Sequence, residues 1–185
     1  MYHPSVFADV PRKKGGVYVL RRLVEPYVAK KGFEPVNRVA VVGSASDTGV
    51  YTRLRQYFCE HTETAMSPNY RNAAIAVRDQ ITHIDCYFEP ELMVDKVHRL
   101  AFEKILIEEL EPMMRTPEGS SNIGSEARIL SKNKQFRQAV MAVKGNPSCT
   151  IRLPNRDNII ADLLELNPEL YGSIAHKKQP DLSEY

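Results

Sequence analysis

Tryptophan is missing from this chain of 185 residues, cysteine occurs only three times, and no long apolar run is present. A helix that crosses a bilayer needs about 20 mostly apolar residues. The nearest candidate, "KILIEELEPMM" at 104–114, is broken by glutamates, so the sequence predicts no membrane span. Cys59, Cys86 and Cys149 are odd in number, and no two have the C-x-x-C spacing of a zinc or redox motif. They read as three separate reduced thiols of an intracellular protein. Cys59 with His61, and His83 with Cys86, have no standard ligand spacing, so no metal and no cofactor are expected. The opening "MYHPSVFADVPRKKGG" lacks the apolar core of a secretory signal.

An excess of one charge is also missing. The formal net charge is +2, too small for a generic nucleic-acid binder. The distribution is uneven, however. Residues 1–55 carry ten basic against four acidic side chains, and residues 127–156 carry seven basic and none acidic. The segment between, 89–111, is acidic; such blocks either neutralise each other across the domain's own surface, the favoured reading, or meet charged neighbours. The basic, acid-poor stretch 10–31 is similar to an organellar targeting region. That leaves a mitochondrial or other organellar location open within the intracellular reading.

What is present reads as one domain with a real core: 43% of residues are hydrophobic and 26% charged. Residues 1–16, with Pro4, Pro11, Gly15 and Gly16, read as an extended arm. Leu20, Leu23, Val24, Tyr27 and Val28 recur at helical spacing and predict a helix over 17–31, kinked at Pro26. Residues 38–42 predict a short strand. A helix follows, capped by Ser46 or Asp47, with Val50, Leu54, Tyr57 and Phe58 as its core face. A short helix is expected over 73–80 and a strand over "ITHIDCYF". The longest helix should run from Glu89 to about Glu111, with Leu100 and Ile105 in its stripe. An internal loop at about 113–125 precedes a helix from Ser125 to Gly145 that breaks near Asn133. "SCTIRL" predicts a strand, 158–166 a last helix, and 175–185 a polar tail. The fold class is therefore α+β and helix-dominated, with about six helices, three short strands and extended N- and C-terminal arms around a 17–174 domain. A small α/β fold is the alternative.

The chemistry-bearing candidates are few. "RVAVVGSASDTGVY" ends a strand in glycine and enters a helix, as phosphate-binding loops do. Gly43, Ser44, Ser46, Thr48 and Gly49 are the candidate phosphate ligands. The spacing is neither that of a P-loop nor that of a dinucleotide fingerprint, so a capped turn is the favoured reading. The segment resembles the opening strand and Ser-rich loop of small sugar-phosphate or purine-ligand enzymes over about a dozen residues. No G-x-S-x-G elbow occurs, and the glutamates of "EELE" and "EPE" suit solvated helix faces; no catalytic residue is assigned. Arg128, Lys132, Lys134, Arg137 and Lys144 form a candidate basic face for phosphate or protein contact. Tyr2, Val6, Phe7, Leu182 and Tyr185 are spaced like anchors on neighbouring proteins.

The sequence thus favours a non-catalytic structural subunit of a large intracellular complex, such as a supernumerary organellar subunit. Its partners would be other subunits or copies of itself. A self-assembling viral or phage structural protein, located in the virion, is the alternative. A small enzyme or phosphate-ligand domain using the 43–49 loop comes third.

Overall fold

A computed structural model of the protein describes residues 2–24, 36–46, 48–59, 81–112 and 123–154. Strands β1 (Gly16–Val24) and β2 (Val36–Ala45) are followed by α1 (Gly49–Phe58), β3 (Ile81–Tyr87) and α2 (Lys96–Leu110). Helices α3 (Ser125–Lys132) and α4 (Lys134–Lys144) lead to β4 (Cys149–Arg152). The four strands form one antiparallel sheet in the order β2-β1-β3-β4.

Both faces of the sheet are covered. On one face Tyr18, Leu20, Ile84, Cys86 and Ile151 pack with Val50, Leu54, Tyr57 and Phe58 of α1. On the other, Val17, Val19, Val42 and Tyr87 pack with Phe102, Ile105 and Leu106 of α2 and Val140 of α4. Helix α3 lies behind α2, where Ala127 meets Ala101 and Ile123. The α+β class is therefore present, and the antiparallel sheet replaces the small α/β alternative.

The element count differs from the sequence reading: the described residues hold four α-helices and four strands, where about six helices and three strands are predicted. The main correction is at 17–24, a strand and not a helix. Val17, Tyr18, Val19 and Leu20 are all buried, two on each face. A strand covered on both sides shows no polar alternation, so its period cannot be told from that of a buried helix. The predicted helices at 73–80 and 158–166, and residues 25–31 of the predicted 17–31 helix, lie outside the described residues.

The long helix begins at Lys96, seven residues later than predicted. Residues 89–95 are not helical: a turn over 90–92, closed by a Leu92 N–H to Glu89 C=O bond of 3.1 Å, is followed by a bend at 94–95. Asp95 is the N-cap, accepting the His98 N–H at 2.8 Å. Glu111, in the left-handed region at φ 44°, ends the helix before Pro112. The predicted break at Asn133 is present: its side chain accepts the Phe136 N–H at 3.0 Å and caps α4.

Residues 2–16 form no extended arm. Pro4–Phe7 is a 3-10 turn, and Phe7 and Val10 are buried in the α1-side core. Phe7 meets Phe58 with ring centroids 5.8 Å apart, and the Tyr2 N–H donates to the Phe58 C=O. Phe7 and Val10 thus join the same cluster as α1 and the sheet.

Candidate functional site

The 43–49 stretch is built by packing. Gly43 lies in β2 opposite Tyr18, and a Cβ there would stand 2.5 Å from the Tyr18 hydroxyl. The Tyr18 ring fills that space and its hydroxyl meets Tyr57 Oη at 2.9 Å; burial and the Tyr57 contact hold the phenol well above its ordinary pKa. Ser44 points to the opposite face and donates to Glu103 Oε2 at 2.6 Å. Gly49 has φ +88° and sits against the backbone of Lys13 and Lys14. The Val50 N–H donates to the Lys14 C=O, and the Gly49 N–H to the Ser46 C=O. The first turn of α1 is thus met by the protein's own carbonyls. Thr48 occupies the cap position without a side-chain bond, and Asp47 lies outside the described residues.

Of the loop candidates, Ser46 lines a cavity. This hollow of about 490 Å³ lies where the end of β2, the 14–15 backbone, the 88–95 segment and the first turns of α2 meet. Its wall carries Lys14, Lys96 and Arg99, with Glu89 and Asp95 at the turn. Both acids already accept bonds. Glu89 takes the Ser148 hydroxyl at 2.9 Å, and Asp95 takes the His98 N–H and faces its ring. The His98 backbone bond, ahead of the contact with its side chain, lowers the Asp95 pKa.

The cations are engaged otherwise. Lys14 stands over the Phe88 ring at 5.5 Å. Among the described residues neither it, Lys96 nor Arg99 forms an ion pair, and the buried Arg99 Nε has no hydrogen-bond acceptor. The Arg99 guanidinium lies close to Gly15, with Nη1 3.4 Å from the place a Cβ would take. One turn further along α2, Glu103 is almost fully buried. Desolvation raises its pKa to about 7 against the pull of the Ser44 hydroxyl and of Arg99. With its neutral form favoured by burial, Glu103 offsets the Arg99 charge only in part.

The basic face is broken up by the fold. Arg137 binds Glu108 at 2.8 Å and Glu109 at 2.5 Å, and Lys144 approaches Glu109 at 3.8 Å. The Arg128 Nε–H donates to the Ile123 C=O. Lys132 and Lys134 remain exposed. The anchor candidates separate as well: Phe7 is fully buried in its own domain, Tyr2 and Val6 pack against the same cluster, and Leu182 and Tyr185 lie outside the described residues.

The sequence reading missed Lys14, Lys96 and Arg99 as a group. They come from segments more than eighty residues apart and share no motif spacing. No helix among the described residues is long and apolar enough to cross a membrane. No protein-family model, curated protein or solved structure matches this chain.

Proposed function

We propose that this domain binds a small anionic ligand, bearing phosphate or carboxylate, in the cavity at the start of α2. One observation carries the reading: Lys14, Lys96 and Arg99 line a concave site beside the Ser46 side of the β2–α1 turn and form no ion pair among the described residues. A guanidinium with an unused buried donor suits an oxyanion, since charge-assisted bonds to such groups are among the stronger ones. Phe88, Pro90 and Met93 supply an apolar wall for the rest of the ligand. This is a binding role, not a catalytic one, and it moves the phosphate site from the amides of the 43–49 loop to the side chains beside it.

Among the described residues the structural-subunit reading keeps two supporting features, the exposed Val94 before α2 and Ile129 on α3. Its N-terminal clamp is spent on the protein's own core. A mass measurement on the purified chain decides that reading: a monomer at micromolar concentration speaks against it.

The binding test is thermal unfolding with inorganic phosphate, pyrophosphate, nucleotides and citrate. A ligand at 100 times its Kd adds about 2.7 kcal/mol to stability. The expected outcome is a rise in Tm with at least one of these at millimolar concentration. Arg99→Ala should weaken that ligand roughly tenfold or more, as the loss of a charge-assisted bond implies. No rise with any of the four overturns the proposal.

A further inference from the structure

Two of the three cysteines, read from sequence as isolated, meet across strands. Cys86 of β3 and Cys149 of β4 are directly opposed in the antiparallel register. Both side chains belong to the α1-side cluster, so they leave the sheet on one face. Both are free thiols; Cys86 is buried and Cys149 partly exposed. Opposed residues in such a ladder have Cα atoms about 4.5–5.5 Å apart. A disulfide spans Cα separations of about 4.4–6.8 Å, so the backbone already stands at bonding range.

We propose that Cys86 and Cys149 form a peroxide-sensitive dithiol that closes into a cross-strand disulfide and staples β4 to the sheet. The two thiols have unequal parts. The Cys86 side chain opposite it lowers the Cys149 pKa, while burial and the nearby Asp9 and Asp85 carboxylates push the other way. The same contact and burial hold Cys86 well above its ordinary value. Cys149, the more exposed and more acidic thiol, is the one that meets the oxidant.

Its thiolate attacks one oxygen of hydrogen peroxide or an organic hydroperoxide. An S–O bond forms and the O–O bond breaks. Hydroxide or alkoxide leaves and takes up a proton, and Cys149 is left as a sulfenic acid. The Cys86 sulfur then attacks the Cys149 sulfur. The S–S bond forms, the S–O bond breaks, and hydroxide departs as water with the Cys86 proton. With hydrogen peroxide the sum is two thiols and one peroxide giving one disulfide and two waters. The staple matters because β4 has four residues and, among the described residues, pairs with β3 alone. The closed loop encloses α2, α3 and α4, and a loop that long raises stability mainly by restricting the unfolded chain.

The test treats the full reduced chain with stoichiometric hydrogen peroxide. Intact mass, thiol counting, peptide mapping and thermal unfolding follow. The expected result is loss of two hydrogens, one remaining thiol at Cys59, a Cys86–Cys149 crosslinked peptide, and a Tm higher by about 5–10 °C that dithiothreitol reverses. C59S should behave like the wild type, and C86S should stop at a sulfenic acid on Cys149 that a dimedone probe captures. Three outcomes overturn the proposal: a Cys59–Cys149 or Cys59–Cys86 crosslink, oxidation of Cys149 to sulfinic acid with the Cys86 thiol intact, or a crosslink without a rise in Tm.

Discussion

Glu103 shows what a single buried carboxyl does to the pH dependence of this fold. Its ordinary pKa of 4.5 is raised to about 7 in the folded chain, chiefly by desolvation. The folded protein therefore keeps a proton that the unfolded chain releases between those values. The stability of the neutral form is complete below about pH 4.5 and is lost as pH rises through 7; a shift of that size corresponds to about 3 kcal/mol. Glu103→Gln keeps an acceptor for the Ser44 hydroxyl and removes the charge. Urea denaturation should find it more stable than wild type by about 1–3 kcal/mol at pH 8 and equal to it at pH 4.5. Lower stability at pH 8 would mean that the carboxylate is the favoured partner of Arg99. Gly43 gives a second test at this scale. Tyr18 occupies the place of its Cβ, so Gly43→Val should cost about 1–3 kcal/mol by overpacking, with ligand-induced Tm shifts unchanged. Loss of those shifts at unchanged stability would return the site to the 43–49 backbone.

At the scale of elements, the N-terminal turn behaves as part of the core. Phe7 is buried in the α1-side cluster, where its ring and that of Tyr2 both meet Phe58. Phe7→Ala should cost about 3–5 kcal/mol, and removal of residues 2–10 should leave a chain that melts much earlier or does not fold. Circular dichroism of both variants checks this; an unchanged melting temperature after the deletion would restore the picture of a detachable arm. Helix α2 illustrates the same point from the other side. Ile105 is fully buried against the sheet, while Leu100, a residue of the same predicted stripe, packs only partly against α3. Truncating Ile105 to Ala should therefore be the costlier change, within a range of about 2–5 kcal/mol. Reversed costs would misplace the face that α2 turns to the sheet.

Across the whole molecule, charge is distributed so that the acidic and basic blocks meet. Glu108 and Glu109 on α2 take up Arg137 and Lys144 of α4, and Lys104 reaches Glu108 at 2.6 Å. These pairs are half-exposed, so each adds little to stability, about 0–1 kcal/mol. Their larger effect is on the surface field, where they erase a basic stripe that a polyanion would otherwise track. Duplex DNA at 150 mM salt should therefore not be retarded by micromolar protein. The double variant Glu108→Gln, Glu109→Gln should bind it measurably better, with an affinity that falls as salt rises. Tight binding by the wild type would show that Lys132 and Lys134 suffice.

By itself the sequence determined the α+β class, the strands around residues 40, 84 and 151, the core face of α1 and the break at Asn133. In each case the signal is local: a period, a cap, or a short apolar run bounded by turn residues. It also suggested that the acidic 89–111 block could meet the basic 127–156 block, and the α2–α4 pairs of Glu108 and Glu109 with Arg137 and Lys144 are where they do. Tertiary structure decided the rest. β1 became a strand because a sheet neighbour on each side and helices on both faces outweighed its apparent helical period. Residues 2–10 became part of the core because Phe7 and Val10 pack with Phe58 and the rest of the α1-side cluster. Lys14 and Arg99 converge, and Cys86 faces Cys149, only through strand register and helix docking. Those are contacts between residues far apart in the chain, fixed by how complete surfaces fit together, and no local window of sequence contains them.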